Sequence, residues 1–140
     1  MEWIYNDGGR EKAGFKGATG DCATRSIAIV TGKDYLEVYN AINTLALKEH
    51  KTRRKGKSNA RIGVYPQLVK KYLLSLGMKW TPCMNIGSGC TTHLKASELP
   101  SGRLLCNVSK HYTAVIDGII NDTFDPSRNE TRCVYGYYSF

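Results

Sequence analysis

Three residues distant in the chain carry side chains that suit a single reaction: the thiol of Cys22, the imidazole of His111 and the carboxylate of Asp122. Cys22 follows Gly20 and Asp21 and opens an apolar run ending at Thr31-Gly32. A helix starting there places the thiol among unpaired backbone N–H groups at the positive end of the helix dipole, which favours the thiolate. Downstream, Asp117-Gly118 separates two apolar runs and reads as a two-residue hairpin turn. With Ile116 opposite Ile119, Thr113 falls opposite Asp122 and His111 opposite Phe124, and alternation puts all four on one face. The same parity sends Asn121 and Asp125 to the other face, so Asp122 is the carboxylate expected to orient His111. A thiol, a base and an orienting acid, with helix N–H groups for an oxyanion, are the parts of nucleophilic acyl transfer. That chemistry needs no cofactor and no metal.

The elements that must position these residues follow from period and punctuation. The first helix is expected over about Cys22 to Thr31, with Asp21 as N-cap and Gly32 as the left-handed stop. Its run Ile27-Ala28-Ile29-Val30 leaves almost no polar face and predicts enclosure on all sides. Asp34 to Glu37 resembles a capping box, after which Tyr35, Val38, Tyr39, Ile42, Leu45 and Ala46 form an apolar stripe. Pro66 opens a third helix with Leu68, Val69, Tyr72, Leu73 and Leu76 inward and Gly77 closing it. Beyond Gly77 the pattern changes to short β-branched or aromatic runs: 78–80, 91–94, 103–109, 111–116, 119–124 and 133–138. Residues 6–20, rich in glycine, predict an irregular lead-in. Helices first and an antiparallel sheet second define an α+β class, and 140 residues suit a single domain spanning 1–140.

Composition narrows the setting. Hydrophobic residues at 41% and charged residues at 23% are globular values, and no apolar run reaches the ~20 residues needed to span a bilayer. Met1 to Asn6 lacks the features of a secretory signal, so a cytoplasmic protein without membrane attachment is expected. The five cysteines are odd in number and form no CxxC pair, which predicts reduced thiols. Charge is concentrated: between Lys48 and Arg61 seven basic residues face the single Glu49, a net +6 of the chain's +8. The segment 48–63 therefore reads as a solvated basic loop, in which Arg53, Arg54, Lys55 and Lys57 offer a contact for nucleic acid or an acidic protein.

A cysteine opening a buried helix, followed by a strand with histidine and a second strand with an acid, resembles the papain-like superfamily of cysteine peptidases. Gly20-Asp21-Cys22-Ala23-Thr24-Arg25-Ser26-Ile27-Ala28 and His111-Tyr112 are similar to the OTU deubiquitinases. Asn121-Asp122-Thr123-Phe124-Asp125-Pro126 resembles the bacteriocin-processing, C39-like group. The resemblance implies a papain-like fold and cleavage of a peptide, isopeptide or related amide bond in a protein or peptide substrate, with Cys22, His111 and Asp122 as the triad. Where that superfamily usually supplies Gln or Asn before the nucleophile, this chain has Phe15 and Lys16. Asn6 is then the residue the lead-in can bring to the oxyanion, with Asp21 auxiliary. As a whole the chain is similar to small phage and bacterial proteins, which implies a phage-encoded enzyme acting on a host protein.

Other readings use other residues. The same acyl-enzyme resolved by an amine makes a transferase. A papain-like scaffold without turnover, binding through the basic loop, makes an inhibitor or adaptor. Cys83, Cys90, His93 and Cys106 can be drawn as a zinc site, but their spacings match no short-pair zinc pattern. Gly87-Ser88-Gly89 is a candidate lining of the substrate cleft, and Arg25 reads as a buried structural cation.

Overall fold

Asp117 and Gly118 both take left-handed backbone, with φ of 49° and 80°, as a tight hairpin turn requires if its twist is to match the strands. The computed structural model describes residues 1–17, 19–49 and 56–140. In chain order the elements are β1 (Trp3–Tyr5), α1 (Cys22–Thr31), α2 (Tyr35–Ala46), α3 (Pro66–Ser75), β2 (Lys79–Pro82), β3 (Arg103–Val108), β4 (His111–Ile116), β5 (Ile119–Asp122) and β6 (Val134–Ser139). The strands form one sheet in the order β1-β5-β4-β3-β6-β2. Ile116 pairs with Ile119 and Ala114 with Asn121, the register expected from the turn.

The fold is α+β, but the sheet is mixed rather than antiparallel. β1 joins the edge parallel to β5, with Tyr5 opposite Asp122. Three residues, all exposed, carry no alternation a sequence reading could detect; backbone pairing alone makes this strand. The run 91–94 forms no strand, and only His93 bridges Cys133.

The helices cover one face of the sheet. Ala23 through Val30 are all buried, so α1 is enclosed as its composition predicts. Gly32 ends it with φ 73° and returns its N–H to Ala28. Polar residues inside this helix are used as pins: Thr24 Oγ1 donates to Ala60 O (2.7 Å) and Ser26 Oγ to Tyr112 O (3.0 Å), tying α1 to the loop before α3 and to β4. Leu105, Tyr112, Ala114 and Tyr138 meet the helices, whereas Leu104, Cys106, Val108, Val115 and Ile120 form a second cluster with Leu94 and Val134. Each fully buried aliphatic side chain here is worth about 1.5–3 kcal/mol, so α1 is a rigid mount.

The described part of the basic segment departs from a simple solvated loop. Arg53, Arg54 and Lys55 lie outside the described residues. Lys57 Nζ donates to Leu47 O at 2.9 Å. From Ser58 onward the chain is anchored: Ser58 Oγ bonds Glu49 (2.7 Å), Asn59 bridges Gly63, and Ala60 is fully buried. Residues 62–64 are thereby held beside the start of α1. Among the described residues, no helix is long and apolar enough to cross a membrane.

Candidate active site

Cys22 is the first residue of α1. Asp21 occupies the N-cap position, yet its side chain makes no cap hydrogen bond. Its fully buried carboxylate is claimed instead by Arg10 Nη1 (3.1 Å), by Arg25 Nη1 and by the Tyr35 hydroxyl (2.7 Å). The first-turn N–H groups of α1 are thus left uncapped by Asp21, and they can serve an anion at the cysteine.

His111 opens β4 and Asp122 closes β5, so both stand at one end of the sheet. Their shared face continues into Val115 and Ile120, on the side away from the helices. The site therefore forms past the sheet's end, where the start of α1 and the ends of two strands converge. His111 Nε2 lies 2.8 Å from Asp122 Oδ2, which also accepts from Thr113 Oγ1 at 2.7 Å. Asp122 Oδ1 accepts from its neighbour's N–H, Thr123 (2.7 Å), and from Arg25 Nη2 (3.4 Å). The Cys22 thiol sits beside His111 at the same cleft, and with Nε2 given to Asp122 the nitrogen left to face the sulfur is Nδ1. The Phe124 ring, 5.1 Å from the imidazole, flanks it.

Charge follows from these contacts. Burial pushes the Cys22 thiol up, but the neighbouring His111 imidazole, the Tyr112 backbone and Arg25 outweigh it, and its pKa falls below 9.0. Burial pushes His111 down, and its bond to Asp122 and the Cys22 sulfur beside it reverse this, raising it above 6.5. For Asp122, burial again acts upward, and His111, Thr113 and the Thr123 N–H win, lowering it below 3.8. All three shifts favour a thiolate–imidazolium pair steadied by a carboxylate.

The pair opens on a cleft of about 510 Å³ bordered by Gly20, Ile62, Gly63, Asn107, Lys110 and Tyr135. Gly20 has no room for a side chain, since a Cβ there would fall 1.9 Å from Ile62 O. That approach sets one wall directly before the nucleophile. Asn107, on β3 between its partners Tyr112 and Gly136, borders the same cleft. It was not visible as a site residue, because only strand pairing brings β3 beside α1.

Cys22, His111 and Asp122 are therefore brought together, and Asn121 and Asp125 are not; Asn121 accepts from Asn6 (3.2 Å) and Asp125 from the Ser127 N–H (2.9 Å). Several other expectations are corrected. Asn6 is not at the oxyanion position: its amide is bonded to Asn121 and its oxygen to the Gly8 N–H, because β1 pins it against β5. Asp21 has only acceptor oxygens, all directed at Arg10, Arg25 and Tyr35, so it supports the site from behind. Cys90 and Cys133 are joined in a disulfide across 43 residues, against the expectation of reduced thiols. With Cys90 so engaged and Cys106 fully buried, the four residues drawn as a zinc site do not converge; among the described residues no group of three or more His, Cys, Asp or Glu forms a metal-binding cluster. Gly87-Ser88-Gly89 makes a turn, with Ser88 bonded to Asn85, and does not border the cleft.

Comparison with protein-family models, with curated proteins and with solved structures finds no match.

Proposed function

We propose that this protein is a papain-like cysteine hydrolase that cleaves a peptide, isopeptide or related amide bond. One observation carries the reading: the His111 imidazole, bonded to the Asp122 carboxylate at 2.8 Å, stands beside the Cys22 thiol at the mouth of one cleft. The Cys22 thiolate attacks the carbonyl carbon, forming an S–C bond while the carbonyl pair moves to oxygen. The uncapped N–H groups of α1 and the Asn107 amide are the donors for that oxyanion. Collapse breaks the C–N bond as His111 gives its proton to the departing amine, leaving a thioester. Neutral His111 then takes a proton from water, whose oxygen displaces the thiolate and releases the acid. An amine in place of water would make the same site a transferase.

The test is a peptidyl electrophile offered to the intact protein, followed by hydrolysis of a fluorogenic peptide mixture. Labelling confined to Cys22, lost in His111→Ala, together with peptide hydrolysis lost in Cys22→Ser, supports the proposal. Equal labelling of Cys22 and Cys83, or hydrolysis that survives Cys22→Ser, sinks it.

A further inference from the structure

A second set of reactive side chains lies outside the Cys22 cleft. Cys90 is exposed and Cys133 half-buried, and their Cα atoms stand 5.8 Å apart, an ordinary disulfide span. Cys90 Sγ is 3.6 Å from His93 Nε2, and His93 Nδ1 is 3.2 Å from Glu98 Oε1. The side chains of His93 and Glu98 are 37% and 32% exposed, so small solutes can reach the group. A sulfur held against an imidazole that is itself held by a carboxylate is organised for proton transfer at sulfur.

The two cysteines are also kept adjacent by bonds that do not involve sulfur. Leu94 N–H donates to Arg132 O and Val134 N–H to Thr92 O, both at 2.8 Å, and Thr91 Oγ1 holds Cys83 O at 2.7 Å. Segment 91–94 therefore stays docked on 132–134 when the S–S bond opens, and the thiols remain placed to close it again.

We propose that Cys90 and Cys133 form a thiol–disulfide exchange site, with Cys90 the attacking thiol, His93 its base, Glu98 a positioning residue, Cys133 the resolving thiol, and a small disulfide of the glutathione type the co-substrate. In the reduced protein His93 takes the Cys90 proton, and the thiolate attacks one sulfur of the small disulfide. A Cys90–S bond forms, the small disulfide's own S–S bond breaks, and the first small thiolate leaves with that electron pair and takes the proton from His93. The Cys133 thiolate, its proton passed to solvent, then attacks Cys90 Sγ and expels the second small thiolate, which is protonated from water. Two protein thiols are oxidised and one small disulfide is reduced to two thiols. Attack by excess small thiol on the closed bond runs the sequence backward.

The experiment uses the full chain. Oxidised glutathione is added to Cys133→Ser, which has no resolving thiol, and its addition at Cys90 is followed by peptide mass mapping near neutral pH. Addition about tenfold faster than at Cys83, falling to the Cys83 rate in Cys133→Ser with His93→Gln, supports the site. Glu98→Gln in that background should slow addition at Cys90 and Glu98→Asp should restore part of the rate, since either carboxylate can hold the His93 ring against the sulfur. The unsubstituted chain in an oxidising glutathione buffer should yield a linked Cys90–Cys133 peptide. Rates at Cys90 that do not depend on His93, or no linked peptide under those conditions, overturn the proposal. The Cys22 hydrolase reading is independent of either outcome.

Discussion

Arg25 Nη2 stands 3.4 Å from Asp122 Oδ1, on the opposite oxygen of the carboxylate from the one His111 uses. The same guanidinium grips Asp21, and both carboxylates are buried. One cation on the second turn of α1 thus couples the residue before the nucleophile to the residue behind the base. The pair Arg25 and Asp122 locks helix to sheet at the point where the chemistry must align.

Arg25→Met should be strongly destabilising. It leaves Asp21 with Arg10 as its one cation among the described residues and leaves Asp122 with His111 alone, and breaking a buried pair costs about 3–5 kcal/mol. Urea denaturation would show this as a lowered midpoint at unchanged slope. A loss under about 1 kcal/mol would mean that the network is not holding the two carboxylates.

The alkylation rate of Cys22 should rise with pH through a midpoint below the 9.0 of an ordinary thiol. In His111→Ala the midpoint should move upward, because burial remains and only the Tyr112 backbone and Arg25 are left to oppose it. For turnover the profile is a bell: the acid limb is thiolate formation at Cys22, and the alkaline limb is loss of the His111 proton at a pH above 6.5. A midpoint that does not respond to His111→Ala would show that the imidazole does not govern the thiol.

Asp122→Asn should lower Cys22 reactivity near neutral pH about tenfold, since a neutral amide no longer holds His111 protonated. Its stability cost has a defined pH window. The folded-state pKa of Asp122 is depressed, so its contribution is present above about 3.8 and lost as pH falls through the folded value. The folded-state pKa of His111 is raised, so its contribution is complete below 6.5 and lost as pH rises through the folded value. The stability gap between the protein and Asp122→Asn should therefore be widest between about pH 4 and 6.5 and close toward acid. A constant gap from pH 2 to 7 would contradict this assignment.

Gly20→Ala and Gly63→Ala border the same cleft but should differ. A Cβ at Gly20 meets Ile62 O at 1.9 Å, whereas one at Gly63 finds nothing within 4 Å. The first should cost about 1–3 kcal/mol and slow Cys22 labelling, and the second should be near neutral. Thermal melts and labelling rates of the two variants, side by side, decide it.

Asn107→Ala should leave Cys22 alkylation unchanged while lowering kcat/KM on an amide substrate about 10²–10³-fold, the usual cost of one oxyanion donor. Loss of both together would place Asn107 in the structure of the cleft instead.

How far the sequence determines this protein can be read from particular residues. Local chemistry specified α1 from Cys22 to the left-handed Gly32, because the apolar run Ile27-Ala28-Ile29-Val30 and a glycine stop need no distant partner to be recognised. The Asp117-Gly118 turn determined register, and register with a period of two selected Asp122 over Asn121. What only the tertiary structure decided involves partners far apart in the chain. Asp21 reads as a helix cap until Arg10 and Tyr35 arrive to take its carboxylate. Asn6 reads as free until β1 pairs with β5. Cys90 and Cys133 read as separate thiols until 91–94 docks on 132–134. In each case the local preference was weaker than a buried charge pair or a strand edge in need of hydrogen bonds, and those demands exist only once the chain has closed on itself.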